Sequence, residues 1–245
     1  MSSASLLMSV YSKVSPDALK ECLFSLADQT LLPEQFVIVK DGPLTTELEV
    51  LIDQFTSKFA SLTLIVNIEI NQGLIKALNT GLQHCTQEWI IRMDSDDVAM
   101  PDRIERQINF LKENPDIDVL GSAMLEFESS PKKPQRLKPV KSSHEDIAKQ
   151  LPFRNPINHP SACIRKSTLL DIGGYPSLYL LEDYFLWAKL INECKLRWWI
   201  YQHQLSRPWG LFIGISLQCL IRFSPLFLHR YLWHASRQQL PAQDG

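Results

Sequence analysis

The sequence predicts an α/β fold in which a mostly parallel sheet is flanked by helices on both faces. Three observations predict it. Short apolar runs alternate with segments of helical periodicity from Leu6 to Asp94, and such alternation implies a parallel sheet covered on both sides. The run Trp89-Ile90-Ile91-Arg92-Met93 stops in Asp94, Asp96 and Asp97, as a covered strand does when it delivers acids to a cleft beyond its carboxyl end. A chain of 245 residues with 45% hydrophobic and 21% charged content supplies a core for one domain plus an appendage.

Leu6–Val10 is the first expected strand. Ser15-Pro16-Asp17 then starts a helix with an N-cap, a proline at the first position and an early acid. Leu19, Cys22, Leu23 and Leu26 form its buried stripe. Phe36–Val39 is the second strand, ending at Lys40-Asp41-Gly42-Pro43. Thr46 with Glu49 matches a capping box, and Leu48, Leu51, Ile52, Phe55 and Phe59 line the helix behind it. Leu62–Val66 is the third strand. Asn71-Gln72-Gly73 turns the chain into a helix faced by Leu74, Ala77, Leu78, Leu82 and Cys85, which leads to the strand at Trp89. The carboxyl ends of strands one, two and four should therefore bring Tyr11-Ser12, Lys40-Asp41-Gly42 and Asp94–Asp97 to one rim.

Pro101 opens a further helix with Ile104, Ile108 and Leu111 inward, stopped by Asn114-Pro115. Val119–Leu125 is an expected strand. Ser129–Ser143, rich in Pro, Lys and Ser, is an expected surface loop. Asn155–Pro160 leads into a strand at Ser161–Ile164, a short helix closed by Gly173-Gly174, a helix from Glu182-Asp183 carrying Leu186, Leu190 and Ile191, and a last strand at Leu196–Ile200. Trp209–Leu228 is largely apolar but broken by Gln218, Arg222 and Pro225, with His229, Arg230, His234 and Arg237 after it. A mid-span arginine costs about 2.5–3.5 kcal/mol on insertion scales, which favours a helix lying on an anionic membrane surface over one crossing it.

A net charge of −2 offers no field for a polyanion, so nucleic acid is not an expected partner. Five single cysteines, with no C-x-x-C pair, argue against a disulfide framework and a zinc site and suit a reducing, cytoplasmic setting. Met1–Val10 lacks the basic start and apolar stretch of a signal peptide.

Asp94 and Asp96 stand two residues apart, so an extended backbone would project both to one side. Like charges that close repel unless a cation lies between them, and oxygen ligands without nearby Cys or His suit Mg²⁺ or Mn²⁺. The alternative is a solvated acidic turn capping the next helix. Asp183 likewise has a plain alternative as a helix cap, and His159, between Asn158 and Pro160, is expected to be a structural hydrogen-bonding group. Trp187, Trp198 and Trp199 are most simply core or rim aromatics.

The ordered set Met8-Ser9-Val10-Tyr11, Val37-Ile38-Val39-Lys40-Asp41-Gly42, Asn71-Gln72-Gly73-Leu74 with Ala77 and Asn79, Met93-Asp94-Ser95-Asp96-Asp97, Pro101-Asp102-Arg103, Asn158-His159-Pro160, Gly173-Gly174-Tyr175 and Glu182-Asp183-Tyr184 with Leu186-Trp187 resembles glycosyltransferase family 2. Members are inverting, nucleotide-sugar-dependent enzymes with a GT-A, Rossmann-like fold; the resemblance is greatest to bacterial members that build surface polysaccharides. It covers about Leu6 to Ile200.

The resemblance implies a GT-A domain over residues 1–205, with a nucleotide-sugar half to 100 and an acceptor half from 101, followed by an amphipathic tail at 206–245. It implies that Asp41 contacts the nucleotide base, that Asp94 and Asp96 hold Mg²⁺ or Mn²⁺ with the donor diphosphate, and that Asp183 is the catalytic base. Asn71, Gly73 and Lys76 match a segment near the donor. Glu182, His159, Gly174 and Tyr175 fall on the acceptor side. Members often carry Asn at Ser12 and Asp at Lys40; Lys40 is expected to pair with Asp41 or reach a phosphate. After Ile200 the chain joins its apolar, basic tail abruptly, which leaves the acceptor side shorter than in many relatives. The implied partners are a nucleotide-sugar donor, a growing glycan such as lipopolysaccharide, O-antigen or exopolysaccharide on a lipid carrier, and the inner face of the cell membrane. A non-catalytic GT-A-like binding subunit and a nucleotidyltransferase are the alternatives.

Overall fold

The computed structural model describes residues 3–127, 136–138, 140–141, 143–178, 181–193 and 198–208, with side chains as far as residue 191. In chain order the elements are β1 (Ala4–Val10), α1 (Pro16–Ala27), β2 (Gln35–Asp41), α2 (Thr46–Lys58), β3 (Thr63–Ile68), α3 (Leu74–His84), β4 (Trp89–Asp94), α4 (Arg103–Glu113), β5 (Val119–Phe127), β6 (Arg136–Lys138), α5 (His144–Gln150), a 3₁₀ turn (His159–Ser161), β7 (Cys163–Arg165), α6 (Lys166–Asp171), α7 (Glu182–Glu193) and β8 (Trp198–Pro208).

One sheet holds all eight strands in the order β3-β2-β1-β4-β7-β5-β6, with β8 against β5. β3, β2, β1 and β4 are mutually parallel, while β7 runs antiparallel to β4 and β5. β6 is antiparallel to β5, and β8 is parallel to it. Helices cover both faces, as expected. Leu19, Cys22, Leu23 and Leu26 of α1, Leu48, Ile52 and Phe55 of α2, and Ile104, Ile108 and Leu111 of α4 bury against one face with Leu6, Met8, Phe36, Ile38, Trp89, Ile91 and Met93. Ala77, Leu78 and Leu82 of α3 and Leu186, Trp187 and Leu190 of α7 bury against the other, with Leu7, Val37, Val39 and Ile90. The period-two alternation of β1, β2 and β4 thus divides between the two cores.

Local chemistry explains the helix starts, with one shift. Pro16 stands at the start of α1, as expected, and Ser15 before it is extended but makes no side-chain cap bond. The cap of α2 is Thr45 rather than Thr46, its hydroxyl accepting the Leu48 N–H at 3.4 Å. Ser143 caps α5 through the Asp146 N–H, a short helix that the Pro- and Lys-rich stretch before it conceals in the sequence.

The expected loop at 129–143 contains β6, which pairs with Met124–Glu126 of β5; its neighbours at 128–135 lie outside the described residues. The last strand begins at Trp198 and runs to Pro208, so the division at 205 falls within a strand. Residues 209–245, which carry the expected membrane-surface helix, lie outside the described residues. Among the described residues no helix is long and apolar enough to cross a membrane.

Candidate active site

Strand order places the site. β1 lies between β2 and β4, so connections leave it in opposite directions, and the carboxyl ends of adjacent parallel strands diverge into a crevice there. Register brings Val10 beside Lys40 and Ser9 beside Asp94, and it sets Lys40 and Asp41 beside Asn67 and Ile68. The three segments expected on one rim are there.

Asp41 ends β2 with only 4% exposure. Its two carboxylate oxygens accept the Gln72 N–H at 2.8 Å and the Gly73 N–H at 2.9 Å, while Asn71 Nδ2 donates to the Asp41 carbonyl at 3.0 Å. A carboxylate taking two backbone N–H groups is a charge-assisted clamp, and it folds the Asn71-Gln72-Gly73 turn onto the rim. Gly42 must be glycine here. Its φ is +83°, and a Cβ would stand 2.6 Å from the Asn71 nitrogen. Lys40 pairs with Glu49 of α2, instead of with Asp41, because alternation along β2 points successive side chains to opposite faces. Lys76 is exposed on the first turn of α3.

Asp94 ends β4, and the chain then turns: the Asp97 N–H reaches the Asp94 carbonyl at 3.3 Å. Asp96 therefore stands in a tight turn, where strand alternation no longer governs its direction. Asp94 and Asp96 are half-buried and Asp97 is fully buried. Beneath them lie two buried guanidinium groups. Arg92 donates to the Asp94 carboxylate and to the Met93 carbonyl. Arg103 donates to the carbonyls of Arg92 at 2.7 Å and Pro160 at 2.8 Å. The Cys22 thiol donates to the Asp94 carbonyl at 3.4 Å; burial, then the charges of Asp97, Asp96 and Asp94, push its pKa up, so it stays a neutral thiol. All-oxygen donors on a half-exposed rim suit a hard divalent cation. Among the described residues no three His, Cys, Asp or Glu side chains are grouped to hold a metal by themselves; water and a bound phosphate are the further ligands such an ion takes.

The segments expected on the acceptor side are assembled by contacts distant in sequence. Asn79 of α3 accepts the Tyr175 N–H at 2.7 Å and donates to the Tyr175 carbonyl at 2.8 Å. This two-point clamp ties the Gly173-Gly174-Tyr175 turn to the helix that follows the Asn71-Gln72-Gly73 turn. Gly174 has φ +88°, and a Cβ there would meet Asn79 Oδ1 at 2.4 Å. Below the turn the His159 ring meets Tyr175 at 5.6 Å and Trp187 at 5.8 Å, both edge-on. His159 is buried within this aromatic cluster, which agrees with a structural role, and Trp187 is a core residue.

Asp183 opens α7 beside the half-buried Glu182. Its carboxylate accepts Asn155 Nδ2 at 2.6 Å and the Tyr184 N–H at 2.7 Å. Burial raises its pKa from the ordinary 3.8, opposed by the Tyr184 and Asn155 bonds and by the charge of Lys138 on β6. Sequence reasoning gave no role to Arg92, Arg103, Asn79, Asn155 or Lys138, although Asn79 and Arg103 stand in the motifs quoted above. Arg92 carried a signal, a lone charge inside an apolar strand two residues before an acid; Asn155 and Lys138 carried none, since only the fold brings them to Asp183.

A family model described as "Glycosyl transferase family 2" matches residues 5–173. Among curated proteins the chain is 38% identical over 192 residues to a UDP-Gal:alpha-D-GlcNAc-diphosphoundecaprenol beta-1,3-galactosyltransferase of Escherichia coli, covering 78% of this chain and 69% of that one. It is 37% identical over 190 residues to the amylovoran biosynthesis glycosyltransferase AmsE of Erwinia amylovora, covering 77% and 69%. Among solved structures, a mannosyltransferase of Pyrobaculum calidifontis in complex with GDP-Man and Mn²⁺ matches with a TM-score of 0.66 at 16% identity, over 99% of this chain and 64% of that one. Residues 1–349 of S. aureus TarS with UDP-GlcNAc match with a TM-score of 0.63 at 19% identity, over 87% and 61%. The chain thus spans less than two thirds of both solved relatives, and at these identities they speak for the fold alone.

Proposed function

The chain belongs to glycosyltransferase family 2, and from that premise we propose that it is an inverting transferase moving a sugar from a nucleotide-sugar donor to a growing bacterial surface glycan. The observation that supports this is the rim where Asp41 folds a loop and β4 ends in Asp94, with Asp96 and Asp97 just after it; to it we add Asp183, a carboxylate whose proton affinity burial raises.

The donor lies against the Asn71-Gln72-Gly73 turn that Asp41 shapes, near Lys76. Lys40, tied to Glu49, steadies α2 behind it. Asp94 and Asp96 would hold Mg²⁺ or Mn²⁺, which when bound would offset the charge that develops on the departing diphosphate. The leaving group then needs no proton, and one carboxylate suffices, whereas a glycoside hydrolase needs two. Asp183 takes the proton from the acceptor hydroxyl as that oxygen bonds to the anomeric carbon opposite the diphosphate, so the centre inverts. Asn155 holds Oδ2 of Asp183 and the Tyr184 N–H holds Oδ1, leaving the second lone pair of each oxygen for the hydroxyl. Glu182, His159, Gly174 and Tyr175 shape the acceptor side around it.

A lipid-diphosphate-linked sugar is the acceptor class we favour, since the E. coli relative is named for one. The residues after β8, 209–245, then hold the enzyme at the inner face of the membrane, with residues 1–100 and 101–208 serving donor and acceptor. The test is transfer to a synthetic lipid-diphosphate acceptor from UDP- and GDP-sugars with Mn²⁺, and flotation with anionic vesicles. Transfer with inversion is the expected result. Pyrophosphate release from a nucleoside triphosphate, or nucleotide binding without any turnover, would point to a different activity.

A further inference from the structure

Arg92 is a charge that the core does not require. Trp89, Ile91 and Met93 of β4 enter one core and Ile90 the other, so period two sets Arg92 and Asp94 on the Ile90 face. The side chain is 1% exposed, and its Nε has no hydrogen-bond partner among the described residues. Taking a guanidinium out of water is costly, and an apolar residue of similar volume commonly makes at least as stable a core. What Arg92 does that no apolar residue can do is hold the Asp94 carboxylate. Arg103 adds a second buried guanidinium whose charge acts on Asp97. Formally, two cations under the three carboxylates Asp94, Asp96 and Asp97 leave one negative charge.

We propose that Arg92 is a positioning residue that occupies part of the Asp94 carboxylate and cancels part of the cluster's charge, so that the site takes a divalent cation only together with a nucleoside diphosphate. This rests on Asp94 and Asp96 being the cation-binding acids. A cation arriving alone meets little net negative charge, and among the described residues no group of three His, Cys, Asp or Glu stands ready to hold it. A diphosphate supplies both charge and oxygens. The donor then carries its cation in, and the departing nucleoside diphosphate carries it out.

The test titrates Mn²⁺ into the full chain, following free Mn²⁺ by electron paramagnetic resonance, with no nucleotide, with UDP and with GDP. The wild type should bind Mn²⁺ weakly alone and at least about a hundredfold more tightly with one of the nucleotides. Removing a nearby positive charge favours a cation, so Arg92→Met should bind Mn²⁺ alone at least about tenfold more tightly than the wild type and lose most of the coupling. Arg92→Lys keeps the charge but not the planar fork, and should stay weak toward Mn²⁺ alone. A residue that merely supported the fold would weaken binding on removal, the opposite sign. Should Arg92→Met fail to fold by circular dichroism, Arg92→Gln is the second neutral variant and carries the same expectation. If a folded neutral variant binds Mn²⁺ alone no more tightly than the wild type, while the wild type does bind it with nucleotide, the role of Arg92 is overturned and the glycosyltransferase reading stands. If the wild type binds no Mn²⁺ with either nucleotide, the cation site itself fails, and Arg92's role with it.

Discussion

The sheet divides into two regions built by different rules. From β1 to β4 every strand is parallel and every connection is a helix, and the acids on the donor rim sit where strands end. From β5 onward the pairing is mixed, and the proposed acceptor side is held by single side chains reaching across long stretches of sequence, such as Asn79 to Tyr175 and Asn155 to Asp183. The donor rim thus inherits its geometry from backbone register, which many hydrogen bonds share. The acceptor side depends on a few bonds, each of which can be removed alone. Perturbations on the donor side should therefore abolish binding, while those on the acceptor side should change turnover or stability and leave binding in place.

The largest expected effect is at the rim. Asp96→Ala should abolish Mn²⁺-dependent binding of nucleoside diphosphate while the chain stays folded, measured by calorimetry with and without the ion; unchanged binding would remove Asp96 from the donor site. Next is Asp183→Asn, which should keep nucleotide binding and lower transfer by about 10²–10⁴-fold, the usual worth of a positioned base. A helix-cap role alone predicts near-normal turnover and at most about 1 kcal/mol in stability, so the ratio of the two readouts decides. Gly174→Ala joins the regions, because it forces a Cβ onto Asn79 at positive φ. It should cost about 1–3 kcal/mol in urea unfolding, and loss of donor affinity of the same size would show that the clamp transmits to the donor loop.

The smallest effect is a pH shift. As the proposed base Asp183 would act only when deprotonated, and burial raises its pKa above 3.8, so the acid limb of kcat/KM should lie above that value. Asn155 donates to the carboxylate and favours its charged form. Asn155→Ala should raise the pKa further and move the limb to higher pH, with less than about tenfold loss at neutral pH. A limb moving the other way, or not at all, would mean that another group sets it.

Much of the first region was legible because its physics is local. The periodicity of α1 to α4, Pro16 at the head of α1 and the apolar run into Asp94 each occupy a short window, and parallel strands joined by helices then have few ways to arrange themselves. Even so, the cap of α2 shifted by one residue, since adjacent threonines offer the same hydroxyl and only the chain's path selects Thr45. The ordered motifs named the family and pointed to the acids at 41, 94, 96 and 183 that we propose as its site. They left open that β7 would run antiparallel between β4 and β5, that a strand would pair within the proline-rich stretch, and that Lys40 would turn to Glu49.

What the sequence by itself determined is therefore which residues carry charge and where strands and helices begin, because propensity, capping and hydrophobic period act over a few residues. Which charges meet was decided only by tertiary structure. Arg92 under Asp94 was within reach of a period-two argument, yet Arg103 beside Asp97 and Lys138 and Asn155 beside Asp183 lie 6, 45 and 28 residues apart in the chain. A folded core brings such groups together and removes the water between them, and with less screening a neighbouring charge sets how an acid binds a proton or an ion.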